Sequence, residues 1–157
     1  MKNYIKILLL FIVLSCNEPK SKDSDLWSSI INYHSNKDFN NTLVNINTLL
    51  KSYPESDYIP NALYLIAEIY LNEYKEYQIS IDYLNQILIL YPKHKLSKKS
   101  LFTLGYIHSN YIESYTKAIN YYKRFLTNYP EDDLIPSVNY ELDNLAKLNE
   151  EIKILNK

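Results

Sequence analysis

The sequence predicts an all-α fold, an α-solenoid of about three helix–turn–helix repeats closed by a C-terminal capping helix. Tyr-Pro recurs at Tyr53-Pro54, Tyr91-Pro92 and Tyr129-Pro130, an interval of 38 residues each time (92 − 54 and 130 − 92). Shifting the chain by that interval brings Thr42, Ser80 and Ala118 into register, all small, and Ile46, Leu84 and Tyr122, all large. Equal spacing twice over marks internal duplication. Between the Tyr-Pro pairs, apolar residues recur at the period of a helix with one buried face. The 157-residue chain contains a single glycine. That scarcity argues against β-hairpins and phosphate-cradling loops, which depend on glycine.

The N-terminus reads as a processing signal. Residues 1–6 carry Lys2 and Lys6 without an acid, and Ile7–Leu14 is a short apolar run. A transmembrane helix needs roughly 20 apolar residues, so the run has the length of a secretory signal instead. It ends at Val13-Leu14-Ser15-Cys16. These residues resemble the lipobox of bacterial lipoproteins. The resemblance implies a signal peptide over residues 1–15, removed by cleavage, and a lipid on Cys16. Cys16 is the sole cysteine, so no intrachain disulfide can form. Each buried methylene of an attached lipid chain adds about 0.8 kcal/mol of membrane affinity. Residues 16–24 are polar and include Pro19, and read as a flexible tether.

The domain proper is expected over residues 25–147. In repeat one, Leu26, Ile30 and Tyr33 share a face of a first helix over about Asp25–His34. Its register against the other repeats is ambiguous by one residue. Asp38 is a plausible N-cap for a second helix, Phe39–Tyr53, with Leu43, Ile46, Leu49 and Leu50 on one stripe. In repeat two, Pro60 falls in the first turn of the first helix, where its missing N–H costs least. Ala62, Leu63, Ile66, Ala67, Ile69 and Tyr70 form a wide apolar face. Residues 73–76 read as the turn, and Tyr77–Tyr91 as the second helix with Ile81, Leu84, Ile87 and Leu88 inward.

Repeat three, Lys98–Pro130, is the clearest. Gly105 lies inside its first helix, where glycine costs about 1 kcal/mol relative to alanine. The return is close approach of the partner helix, and Ala118 is expected to play the same part on the second helix. Ser114 can cap that second helix. Pro130 ends it by biasing Tyr129 away from the α region. A last helix over about Ile135–Lys147 carries Val138, Tyr140, Leu142 and Leu145 in the first-helix pattern. It would cover the open flank of repeat three, as solenoid ends require. Residues 148–157 form a charged tail.

Leu101, Leu104, Gly105, His108, Ala118, Tyr122 and Pro130 follow the order W-x2-L-G-x2-Y, A-x3-F, P. This resembles the tetratricopeptide repeat, whose usual length is 34 residues. The resemblance covers about residues 25–147, and Ala67, Ser80, Pro92, Gly105, Ala118 and Pro130 are its repeat-defining positions. The lipobox together with the Tyr-Pro-x-Ser opening is similar to envelope proteins of this fold. Examples are the lipoprotein of the outer-membrane β-barrel assembly machine and the periplasmic Tol–Pal-associated protein. The resemblance implies a non-enzymatic protein-interaction scaffold, lipid-anchored at the outer membrane and facing the periplasm. Its partner would be another envelope protein, held as a peptide or helix in a concave groove.

Mapped onto this chain, the groove would be lined by Asn61, Tyr64, Glu68 and Leu71, by Lys99, Phe102, Tyr106 and Asn110, and by Tyr140. Tyr64, Phe102 and Tyr140 lie 38 apart and could form an aromatic ladder for a partner. Packing between neighbouring first helices would account for the same rings. A groove rich in aromatic and Asn residues also suits an alternative, a glycan- or small-ligand-binding envelope lipoprotein.

Other chemistry finds little support. No two of His34, His94 and His108 fall one helical turn apart, so no metal site is expected. No nucleophile–histidine–acid set and no cofactor motif is visible. Net charge is −1, or −3 once Lys2 and Lys6 leave with the signal peptide (−1 − 2). That balance gives no support for nucleic-acid binding.

Overall fold

The computed structural model describes residues 22–155. The expected signal peptide, Cys16 and the tether up to residue 21 lie outside the described residues. Among these residues the chain is seven helices: α1 (Lys22–Ser35), α2 (Phe39–Ser52), α3 (Ile59–Ile69), α4 (Tyr77–Leu90), α5 (Lys95–Asn110), α6 (Tyr115–Asn128) and α7 (Ile135–Leu155). They pack as hairpins α1–α2, α3–α4 and α5–α6, with α7 against α6. Each hairpin also packs on the next through α2 with α3 and α4 with α5, and α3 touches α5. First helices therefore form an inner layer and second helices an outer one. This is the all-α solenoid that the 38-residue interval predicts. None of these helices is long and apolar enough to cross a membrane.

Two boundaries differ from expectation. α1 begins at Lys22, so residues 22–24 of the expected tether are helical. Asp23 and Asp25 fall in its first turn, where negative charge is favoured by the helix dipole. At the other end, α7 continues through residues 148–155 of the expected tail.

The repeat extends to the backbone itself. Lys37, Lys75 and Glu113, again 38 apart, adopt left-handed φ values of 59°, 60° and 56° in the three turns within hairpins. The turns between hairpins are equally alike. The N–H groups of Ser56, His94 and Asp132 donate to the carbonyls of Tyr53, Tyr91 and Tyr129 at 3.0–3.2 Å. Ser56 Oγ, His94 Nδ1 and Asp132 Oδ1 then accept from the N–H two residues on, at 3.3, 3.2 and 3.0 Å. Hydroxyl, imidazole and carboxylate thus make the same local turn. Asp132 also pairs with Lys98 at the start of α5. The pairing, with the Leu134 N–H, holds its carboxyl below the ordinary value.

Helix ends follow the sequence with three refinements. Asp38 caps α2 by accepting from the Asn41 N–H, whereas Ser114 occupies the N-cap position of α6 without a side-chain cap bond. Pro92 and Pro130 are exposed, so they define the repeat by stopping helices and not by packing. The expected turn at 73–76 starts later, because α3 widens into a π-helical turn over Tyr70–Tyr74. The Glu76 N–H closes it on the Tyr70 carbonyl at 2.9 Å, as Ser114 closes α5 on His108 at 2.8 Å. In repeat one, Asp38 closes on Tyr33 at 2.9 Å, one residue less around the turn. That fixes the ambiguous register: α1 is offset from α3 by 37, which sets Leu26 with Leu63, Ile30 with Ala67 and Tyr33 with Tyr70.

The core is three apolar clusters that share helices: one among α1, α2 and α3 that takes in Ile87 of α4 and Leu96 of α5, one among α3, α4 and α5, and one among α5, α6 and α7. Ala67, Ser80 and Ala118 are buried. Gly105 shows why small residues are needed. A Cβ built on it would lie 2.6 Å from the Tyr122 ring, and that ring is fully buried. The Tyr122 hydroxyl has no protein partner, and burial pushes its phenol far above the ordinary value. The matching pair in repeat two is Ala67 with Leu84, and in repeat one Ile30 with Ile46. The largest second-helix residue faces the smallest first-helix residue.

The three left-handed turn residues yield a stability prediction. An L-residue in that region costs roughly 1–2 kcal/mol, and part of this returns as glycine's lost entropy on folding. Lys75→Gly and Glu113→Gly, both at exposed sites, should each stabilise the fold by about 0.5–1 kcal/mol. Thermal or urea unfolding checks this; a lower midpoint in either variant contradicts the assigned turn.

Candidate interaction groove

The inner layer is built from α1, α3, α5 and α7, and it carries the residues expected to line a groove. Asn61, Tyr64 and Glu68 lie on successive turns of one face of α3. The structure brings them together with Trp27 and Ile31 of α1 and Leu96 of α5 around a shallow cavity of about 150 Å³. Glu68 also lines a neighbouring cavity of about 240 Å³, with His34, Phe39 and Asn72. Burial raises the Glu68 carboxyl above its ordinary value, against the opposing positive influence of His34 and Lys99.

Trp27 and Ile31 were not foreseen as groove residues. The signal was present but lay behind the one-residue ambiguity in α1. With the offset of 37, Trp27 takes the position of Tyr64 and Ile31 that of Glu68. Trp27, Tyr64, Phe102 and Tyr140 then occupy one equivalent site in four successive first helices.

These rings do different things. Trp27 stacks on Tyr58 with centroids 5.3 Å apart. Tyr64 is half-buried, and its hydroxyl meets Thr103 Oγ1 of α5 at 3.4 Å. Burial raises its phenol above the ordinary value, and the Thr103 contact opposes that shift. Phe102 turns partly into the third cluster, 5.9 Å from the Tyr122 ring. Tyr140 is 65% exposed. Tyr64 and Phe102 therefore help pack the inner layer while keeping an exposed edge.

The remaining expected residues are more scattered. Tyr106 sits edge-on to Tyr111 at 5.7 Å. Lys99 and Asn110 are exposed, and Asn110 Nδ2 donates to the Tyr106 carbonyl of its own helix at 3.0 Å. Leu71 does not line the groove. It is buried in the α3–α4–α5 cluster, because it stands four residues on from buried Ala67, one helical turn along the same face. The histidines are widely separated in role. His34 packs edge-on to Phe39, His94 makes a turn, and His108 stacks on Tyr121.

No curated protein matches the chain. Two stretches, residues 61–94 and 99–132, match the family model of the tetratricopeptide repeat. Their starts are 38 residues apart (99 − 61), the interval of the Tyr-Pro pairs. The first begins in α3 and spans α4, and the second begins in α5 and spans α6. Two helical hairpins at the centre of this tetratricopeptide-like, all-α solenoid therefore match the model of that repeat.

Proposed function

We propose that this chain is a non-enzymatic interaction scaffold whose inner layer holds an extended segment or helix of another bacterial envelope protein. The observation that carries the reading is the row of Trp27, Tyr64, Phe102 and Tyr140 along four first helices. A row that crosses helices suits a long, narrow partner. Exposed ring edges offer large contact area at low entropic cost. The polar neighbours Asn61, Lys99 and Asn110 can meet a partner's backbone. The two cavities on this face, about 150 and 240 Å³, fall below the roughly 300–1,000 Å³ common for small-molecule sites. That favours a polypeptide over a glycan or small ligand.

The lipobox carries the second half of the reading. The scaffold is anchored through a lipid on Cys16 at the outer membrane, facing the periplasm, with a short tether ahead of α1. Several acyl chains on one residue give stable attachment.

Two experiments test these parts separately. A photo-crosslinking residue placed at Phe102 or Tyr106 should capture a protein partner in intact envelopes, while the same residue at Ile89 or Arg124 on the outer layer should not. Equal capture from both faces, or none from the inner one, contradicts the groove. Cys16→Ser should move the protein from the membrane fraction to the soluble fraction, and persistent membrane retention contradicts the anchor.

A further inference from the structure

The outer layer holds a second concave feature, unrelated to the groove. Helices α4 and α6 part to leave a cavity of about 450 Å³, with His108 of α5 lining it from beneath. This volume lies in the range of small-molecule sites. Each wall is a polar stripe at helical spacing. On α4 the stripe is Gln78, Asp82 and Asn85; on α6 it is Lys117, Asn120, Tyr121 and Arg124.

The cavity is organised around Tyr121. Its ring stacks on His108 with centroids 5.5 Å apart and planes 9° from parallel. Its hydroxyl donates to Asn85 Oδ1 at 3.3 Å, tying α6 to α4. The Arg124 guanidinium lies 5.6 Å from the centre of the same ring. A cation held over an aromatic face is pre-positioned for a ligand. Neither Lys117 nor Arg124 forms an ion pair among the described residues. Asp82 accepts from Gln78 Nε2 of its own helix at 2.9 Å. His108 is only 5% exposed, and its Nδ1 has no protein partner. Burial, with Lys117 nearby, holds its imidazole below the ordinary pKa. A neutral imidazole there can donate or accept one hydrogen bond.

We propose that this cavity binds a small polar molecule by its carboxylate, paired with Arg124 and Lys117, with Asn85, Asn120 and His108 hydrogen-bonding the rest. A carboxylate matches the planar fork of an arginine held over a ring. Asp82 on the facing wall disfavours a doubly charged phosphate.

The test is an NMR titration of the purified protein, following the imidazole signals of His34, His94 and His108. The probes are L-glutamate, D-glucuronate and inorganic phosphate, added separately. Glutamate or glucuronate should shift the His108 signals saturably while leaving His34 and His94 in place. Arg124→Gln, at an exposed site, should weaken that binding by at least about tenfold, and Lys117→Gln should weaken it as well. The proposal is overturned if neither carboxylate gives a saturable His108 shift up to about 20 mM, a weak-binding limit. Binding unchanged in both variants overturns it too, as does phosphate binding as tightly as the carboxylates.

Discussion

Contact between the Tyr122 ring and the backbone of Gly105 sets how closely α5 and α6 approach. The ring is fully buried, and any side chain at position 105 would enter its volume. Buried cores are packed to near-crystalline density, so neither side can give without cost. The other hairpins meet the same requirement with different residues. Ala67 opposes Leu84, and Ile30 opposes Ile46. Volume is traded across the hairpin, so the backbone can repeat while the side chains vary. The stacking of α3 on α5, and with it the inner face, depends on that regularity.

Regular turns serve the same end. The chain makes each tight turn within a hairpin without glycine, placing Lys37, Lys75 and Glu113 in the left-handed region. Between hairpins, serine, histidine and aspartate at one position accept the same backbone N–H. His94, set among lysines in a loop, is therefore a turn residue. Two surfaces follow from this scaffold. The inner layer, centred on the contact of α3 with α5, presents aromatic edges. Helices α4 and α6 leave a polar cleft over His108.

Much of this architecture was legible in the residues. The Tyr-Pro interval, the small residues at 80, 105 and 118, and the apolar stripes located the hairpins and their inward faces. Legibility failed at the border between faces and in the first turn. Leu71 follows Ala67 by four residues and joins the core cluster, although it also borders the groove stripe. One residue fewer in the first turn hid Trp27 and Ile31 from the groove. The outer cleft was not foreseen at all. Its residues lie on two helices that only the fold brings face to face.

The most direct test is a double-mutant cycle on Gly105→Ala and Tyr122→Leu, read by urea unfolding. Gly105→Ala alone should destabilise by about 1–3 kcal/mol through overpacking. Tyr122→Leu alone should also destabilise, by leaving a cavity. Combined, they recreate the Ala67–Leu84 pair of repeat two. The combined loss should then fall short of the sum of the single losses by at least about 1 kcal/mol. Losses that add to within about 0.5 kcal/mol, the behaviour of independent sites, would contradict the claim that volume traded across the hairpin sets the repeat.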